Sequence, residues 1–236
     1  YITIMDVNTF LAFDQSLLLF LNGSNSIFMD NLIIVLTSGW TWIPLYLSLL
    51  YVVVKNNETM GQILLIIGCA AFCILLSGGV SDFIVKPFFA RERPCNDLAF
   101  KGCISLANNF RATGYSFFSS HAANTFSLAI FFILLIRSRV LSVSLILWAF
   151  TNCYTRLYLG VHYPSDIAVG LIWGGVSGYC AYKLYHCMYG KIAPQITYVS
   201  TQYTVSGYDK RDIDVVIFTI IVTLLYAVIR SVIIYI

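Results

Sequence analysis

The segment TMGQILLIIGCAAFCILLSGGVS, residues 59–81, carries no charged side chain. An α-helix needs about 20 consecutive apolar residues to cross the hydrocarbon core of a bilayer, because each residue advances only about 1.5 Å. In lipid every backbone N–H and C=O must find a partner within the segment, and a single apolar run achieves that as a helix. The rest of the chain repeats the pattern. Residues 31–54, 140–155, 167–182 and 215–229 are also uncharged, and 119–136 run apolar after one histidine. The expected fold class is therefore all-α, an integral membrane bundle of six transmembrane helices. The spans are expected near 28–54, 60–86, 119–138, 141–157, 165–187 and 214–236. Residues 7–22 form a shorter amphipathic stretch, expected to lie in the membrane interface as an N-terminal helix.

Composition agrees. The 236 residues are 59% hydrophobic and 11% charged, with a mean hydropathy of +0.81, whereas soluble domains carry about 25% charged residues. One domain, 1–236, accounts for this length. The net charge of +3 is scattered and forms no basic stripe, so no nucleic-acid partner is expected. Residues from Tyr1 to Asp14 lack the basic start and small-residue cleavage site of a secretory signal, so insertion is expected to rely on the spans themselves. Seven cysteines include no Cys-x-x-Cys pair, and no zinc site is expected. Cys95 and Cys103 share one polar loop, where a disulfide and two free thiols both remain open.

Six spans place alternate loops on opposite faces. One face holds Lys55, Arg137, Arg139, Lys183, Lys191, Lys210 and Arg211. The other holds Lys86, Arg91, Arg93, Lys101, Arg111 and Arg156, three of which are claimed below by chemistry. The positive-inside rule puts the first face in the cytoplasm. The long loop near 88–118 and the short one at 157–164 then face outward, which in a bacterial inner membrane is the periplasm.

Charges at span ends are costly and usually have a task. Three clusters converge on the outward face. They are Lys86 to Pro94, Ser116 to Ala122, and Thr155 to Asp166. Lys86, Arg93 and Arg156 supply three cations, enough to balance a phosphate dianion and the charge spread during transfer. Arginine offers a planar fork and lysine a point charge. Ser119 and Ser120 stand where a helix begins, so hydroxyls and free backbone N–H groups can point at an anion. His162 and Asp166 are four apart across a helix-starting proline. That spacing lets the carboxylate fix the ring and free its far nitrogen as a nucleophile. His121 is then the candidate acid for the leaving group. The bland reading makes Lys86 and Arg93 interfacial anchors, and His162 with Asp166 a structural pair. Arg91, Lys101 and Arg111 read as solvated or headgroup-contacting loop residues.

The three clusters in order resemble the type 2 phosphatidic acid phosphatase (PAP2) superfamily, which shares its site with the vanadium haloperoxidases. That family reads K-x6-RP, PSGH and SR-x5-H-x3-D. Here stand Lys86-x6-Arg93-Pro94, Phe118-Ser119-Ser120-His121 and Thr155-Arg156-x5-His162-x3-Asp166. Phe118, Ser120 and Thr155 depart from the family's Pro, Gly and Ser. The resemblance covers about residues 60–188. It implies in-line attack by His162, orientation by Asp166, proton delivery by His121, and phosphate binding by Lys86, Arg93, Ser119, Ser120 and Arg156. It implies neither cofactor nor metal. The implied substrate is a membrane lipid phosphate, such as undecaprenyl diphosphate, lipid A, phosphatidylglycerol phosphate or phosphatidic acid. Transfer to a lipid acceptor and a degenerate lipid-phosphate binder are the competing readings. A transporter fits less well, because the polar residues gather at one face and not at the midplane.

Overall fold

The computed structural model describes residues 7–24, 26–190 and 201–235. Lys191, Pro194 and Tyr198 lie outside the described residues. The elements are helices: α1 (Val7–Leu21), α2 (Ile27–Thr37), α3 (Ile43–Lys55), α4 (Met60–Ile74), α5 (Lys86–Phe89), α6 (Ser120–Ile136), α7 (Arg139–Tyr158), α8 (Pro164–Tyr189) and α9 (Lys210–Tyr235). Among the described residues the only β pairing is an isolated bridge between Tyr203 and Asp209.

Among the described residues, three helical stretches are long and apolar enough to cross a membrane: Met60–Phe89, Arg139–Tyr158 and Lys210–Ile233. A bent pair, Ile27–Thr37 with Gly39–Lys55, raises the number to four. This is a smaller set than the six expected. The expected first span, 28–54, breaks by 65° after Thr37. The break is stabilised because the last carbonyls of α2 find side-chain donors. Thr41 Oγ1 donates to the Val35 carbonyl at 2.6 Å, and Trp42 Nε1 to that of Leu36 at 2.8 Å. The third, α6, has only 17 residues. The fifth, α8, has 26 but carries four glycines and several polar side chains. Apolarity is demanded by contact with lipid, and α6 and α8 meet chiefly each other.

That contact sets the site. Gly170, Gly174 and Gly178 form one stripe of α8 against the α6 backbone. A Cβ on Gly174 would lie 2.6 Å from the Ala123 carbonyl oxygen, and backbone cannot yield as a flexible side chain can. Gly174→Ala is expected to cost about 1–3 kcal/mol, lowering the thermal midpoint by several degrees. Gly175→Ala, where the added carbon meets only the Phe126 ring at 3.4 Å, is expected to be nearly neutral in the same melt. Equal midpoints for the two variants would refute the close-packing account.

Between α4 and α5 the chain stays helical but widens into π-turns at Leu75–Gly79 and Ser81–Val85. Such widening displaces backbone groups from the regular ladder and often marks functional sites. Here Trp173 of α8 donates its indole N–H to the Leu76 carbonyl at 2.9 Å, and Ser81 Oγ donates to the Phe118 carbonyl at 2.8 Å. The widened stretch thereby ties the Lys86 end of the helix to α8 and to the start of α6.

The two ends of the bundle differ. At one end Asn56, Arg137, Tyr182 and the 201–212 segment are laced together. Asn56 donates to Asp212 at 2.9 Å, Arg137 to the Tyr182 hydroxyl at 2.9 Å, and Ser206 to the Ile136 carbonyl at 2.6 Å. At the other end lie α1, the 90–119 segment and the 159–163 turn. Asn22 donates to the Tyr158 carbonyl at 2.7 Å, and Cys95 N–H to the Gly160 carbonyl at 3.0 Å. All three motif clusters belong to this second end.

Candidate active site

His162 reaches its place through a tight turn. Gly160 has φ +61°, a left-handed conformation that a residue with a Cβ adopts at a cost. The turn takes the chain out of α7 and buries His162 at 1% exposure. Pro164 then starts α8 with its φ preset. Asp166, in the first turn of α8, accepts the Tyr163 N–H at 2.9 Å. A carboxylate there also faces the positive end of the helix dipole.

The ring is held on both sides. Arg93 Nη1 lies 3.2 Å from His162 Nε2. Guanidinium can only donate, so Nε2 carries the lone pair and Nδ1 the proton. Nδ1 faces Asp166 Oδ2 at 3.6 Å and Ser116 Oγ at 3.4 Å. The spacing alone predicted a direct bond from the ring to Asp166, and the distance is longer than a hydrogen bond. Ser116 stands beside the pair and touches both partners. Its hydroxyl donates to Asp166 Oδ2 while standing beside Nδ1.

The cations close around the free side of the ring. Arg93 also donates from Nε to the Thr113 and Gly114 carbonyls, both at 3.1 Å, and from Nη1 to the Val161 carbonyl at 3.1 Å. Arg156 is fixed by Thr37 at the α2 bend, with Nη1 to Oγ1 at 2.7 Å. Its Nε is buried without a hydrogen-bond partner among the described residues. Such a donor is costly unless an acceptor arrives, and an oxyanion in the cleft would be one. Lys86 Nζ donates to Ser120 Oγ at 3.1 Å and pairs with Asp82 at 2.6 Å. His121, exposed in the first turn of α6, lies within electrostatic reach of Arg156, His162, Lys86 and Arg93. Ser120 is helical, so the departure from glycine needs no left-handed backbone. Ser119 caps α6, its hydroxyl accepting the Ala122 N–H at 3.4 Å, and donates its own N–H to the Asp166 carbonyl at 3.1 Å.

The model of the PAP2 superfamily matches residues 66–188. The chain belongs to the PAP2 superfamily. It is 36% identical over 221 residues to a lipid A 4'-phosphatase of Bacteroides thetaiotaomicron, covering 93% of this chain and 96% of that one. It is 29% identical over 175 residues to a lipid A 4'-phosphatase of Porphyromonas gingivalis, covering 74% of each. No solved structure matches significantly. The chain is thus a PAP2 phosphatase, a hydrolase of phosphoric esters and an integral membrane protein of lipid metabolism.

The PAP2 motif residues come together at one end of the bundle, but sequence reading missed part of the site. Arg91, read as a loop residue, instead pairs with Asp166 Oδ1 at 2.7 Å and with Asp14 of α1 at 2.8 Å. Asp14 is 3% exposed. An acid in the middle of an apolar 15-residue helix was the available signal. Arg111 donates to the Cys95 carbonyl at 2.5 Å. Cys95 and Cys103 are free thiols, the first buried and the second exposed, so the loop is pinned by Arg111 and by Asn96, not by a disulfide.

Burial pushes the His162 imidazole down to about 4; the Asp166 carboxylate opposes this and the Arg93 charge adds to it. The ring is therefore neutral at neutral pH. Because the folded value lies below the unfolded one near 6.5, the unfolded chain binds more protons between these two pH values. The stability that His162 contributes is complete above pH 6.5 and is lost as pH falls toward 4. In 15N-histidine-labelled protein, the resonance removed by His162→Gln is expected to titrate near pH 4. A midpoint near 6.5 would contradict the buried, neutral ring.

Proposed function

We propose that this chain is a metal-independent lipid phosphatase that removes a phosphate monoester from a lipid A-type glycolipid through a phosphohistidine at His162. The observation that carries the reading is the contact between Arg93 and His162 Nε2, 3.2 Å. It presents an unprotonated nitrogen in a cleft lined by Arg93, Arg156 and Lys86. A phosphate entering there meets its nucleophile and its counter-charges together.

In the first step Arg93 Nη1 passes from Nε2 to a phosphate oxygen, the freed Nε2 lone pair attacks phosphorus, the phosphorus–oxygen bond to the lipid breaks, and His121, protonated once the bound phosphate dianion offsets the cations around it, gives its proton to the departing alkoxide. Asp166 and Ser116 hold the Nδ1 proton as positive charge grows on the ring. In the second step His121 takes a proton from water, which attacks phosphorus. The phosphorus–nitrogen bond breaks and inorganic phosphate leaves. Ser120 and Lys86 bind the transferring oxygens. Ser119 contributes by fixing the start of α6.

The bundle would then make six passes in one domain, with the bent α2–α3 pair as one and α4–α5 as another. Lys55, Arg137, Arg139, Lys183, Lys210 and Arg211 gather at the end away from the site, which favours a cytoplasmic location for that end and a periplasmic site in a bacterial inner membrane. The names carried by the two relatives favour lipid A over the other lipids. Purified protein in detergent with EDTA should release phosphate from lipid A faster than from undecaprenyl diphosphate or phosphatidylglycerol phosphate. Preference for a diphosphate would overturn the substrate, and loss of activity with EDTA would overturn the metal-free chemistry.

A further inference from the structure

The network behind Asp166 does not end inside the catalytic motifs. Asp166 Oδ1 accepts from Arg91 Nη1 at 2.7 Å. The other arm of that guanidinium, Nη2, donates to Asp14 Oδ2 at 2.8 Å. Asp14 Oδ1 accepts the Ser165 N–H at 2.8 Å, and Asp14 Oδ2 accepts the Ser165 hydroxyl at 2.5 Å. Arg91 Nη1 also donates to that hydroxyl at 2.8 Å, and the guanidinium lies 3.9 Å over the Tyr163 ring. The Arg91 carbonyl accepts the Ser116 N–H at 2.8 Å. Tyr163, Ser165 and Asp166, which follow His162 in sequence, are therefore held by one guanidinium, and that guanidinium is held by a carboxylate from α1.

Two features make this more than a surface tie. Asp14 and Asp166 have side chains 4% and 0% exposed, so their charges are poorly screened and removal of one partner is felt by the others. One guanidinium shared by two carboxylates leaves a net negative charge behind His162. That charge favours the ring as its Nδ1 proton grows more acidic during attack. Neutralising Asp14 would give Arg91 wholly to Asp166 and weaken that support. Around α1, Asp14 and Leu18 point inward, whereas Phe10, Phe13 and Phe20 form exposed apolar surface suited to the membrane interface.

We propose that Asp14 is a positioning residue for catalysis, acting through Arg91 to set the place and basicity of Asp166, so that the interfacial helix α1 is part of the active-site frame. This rests on the histidine mechanism proposed above. The test is phosphate release from lipid A in detergent by wild type, Asp14→Asn, Asp14→Glu, Arg91→Gln and Asp14→Asn/Arg91→Gln, with His162→Ala beside them and a thermal melt of each.

Asp14→Asn is expected to lower kcat about tenfold with KM changed less than about twofold, as for a group acting on the transition state and not on substrate binding. Asp14→Glu is expected to recover most of that loss. The double variant should be no slower than Arg91→Gln alone, because the two act through one chain of contacts. Wild-type kcat in Asp14→Asn would overturn the inference, as would additive losses in the double variant, or equal losses in the Glu and Asn variants. If the Asn variant melts below the assay temperature, the Glu variant and the comparison of Arg91→Gln with the double variant decide between the same outcomes. His162→Ala separates the two levels: activity surviving there sinks the histidine mechanism, whereas activity lost there but intact in Asp14→Asn sinks this inference alone.

Discussion

Replacing His162 with alanine is expected to lower kcat/KM for lipid phosphate release by about four powers of ten or more, the scale seen when a covalent nucleophile is removed. The size follows from the arrangement around the ring. Among the described residues Nε2 has one hydrogen-bond partner, the Arg93 guanidinium, and the opposite nitrogen is backed by Ser116 and Asp166. Among the described residues, no other imidazole in the cleft is both buried and backed in this way. His121 is exposed and has no such backing. The loss should fall on kcat, since Arg93, Arg156 and Lys86 remain to bind phosphate. Steady-state kinetics of the purified variant, with its melt to show that it is folded, checks the expectation. A loss of less than about tenfold would mean that another group performs the attack.

Arg93→Ala is expected to cost about a thousandfold in kcat/KM, the upper end of what removal of one charge-stabilising donor costs. Three roles are lost together. Arg93 donates to Nε2 and so fixes the tautomer of His162. It spans the Thr113, Gly114 and Val161 carbonyls, tying the long loop to the turn that carries His162. It is also a cation 6% exposed, whose own burial is opposed by poor solvation and would be relieved by a phosphate anion. Lysine cannot reproduce a planar fork over several acceptors, so Arg93→Lys should fall within about tenfold of Arg93→Ala. Near-wild-type kinetics for the lysine variant would show that only charge matters at this position.

The candidate site was legible where charged and imidazole groups stand at fixed spacing. Lys86, Arg93, Arg156, His162 and Asp166 stand out because a charged or imidazole group beside an apolar span is rarely idle. The all-helical membrane class was legible for the same reason in reverse, from uncharged runs. What escaped depends on backbone geometry. The 65° bend after Thr37 lies in an uncharged stretch, and the donors that make it affordable, Thr41 and Trp42, look like ordinary span residues. The π-turns near Ser77 and Ser81 leave no periodic trace of their own. The glycines of α8 lower its apolarity while making its closest packing, so hydropathy undervalues the helix that positions Asp166. Arg91 was read as a loop residue because its two partners, Asp14 and Asp166, are far apart in sequence, and pairing across that distance has no signature in one chain. Ser116 stood within a quoted cluster without a role, because spacing gives a dyad of His162 and Asp166 but not the hydroxyl that stands beside both.

The most direct test of the account is a rapid-quench reaction with 32P-labelled lipid A, stopped in base within one turnover and analysed for label on the protein. The account predicts a base-stable, acid-labile phosphoenzyme in wild type, located on the peptide containing His162 and absent from His162→Ala. Turnover with no protein-bound label at any time, or label that is acid-stable or lies on another residue, would contradict it.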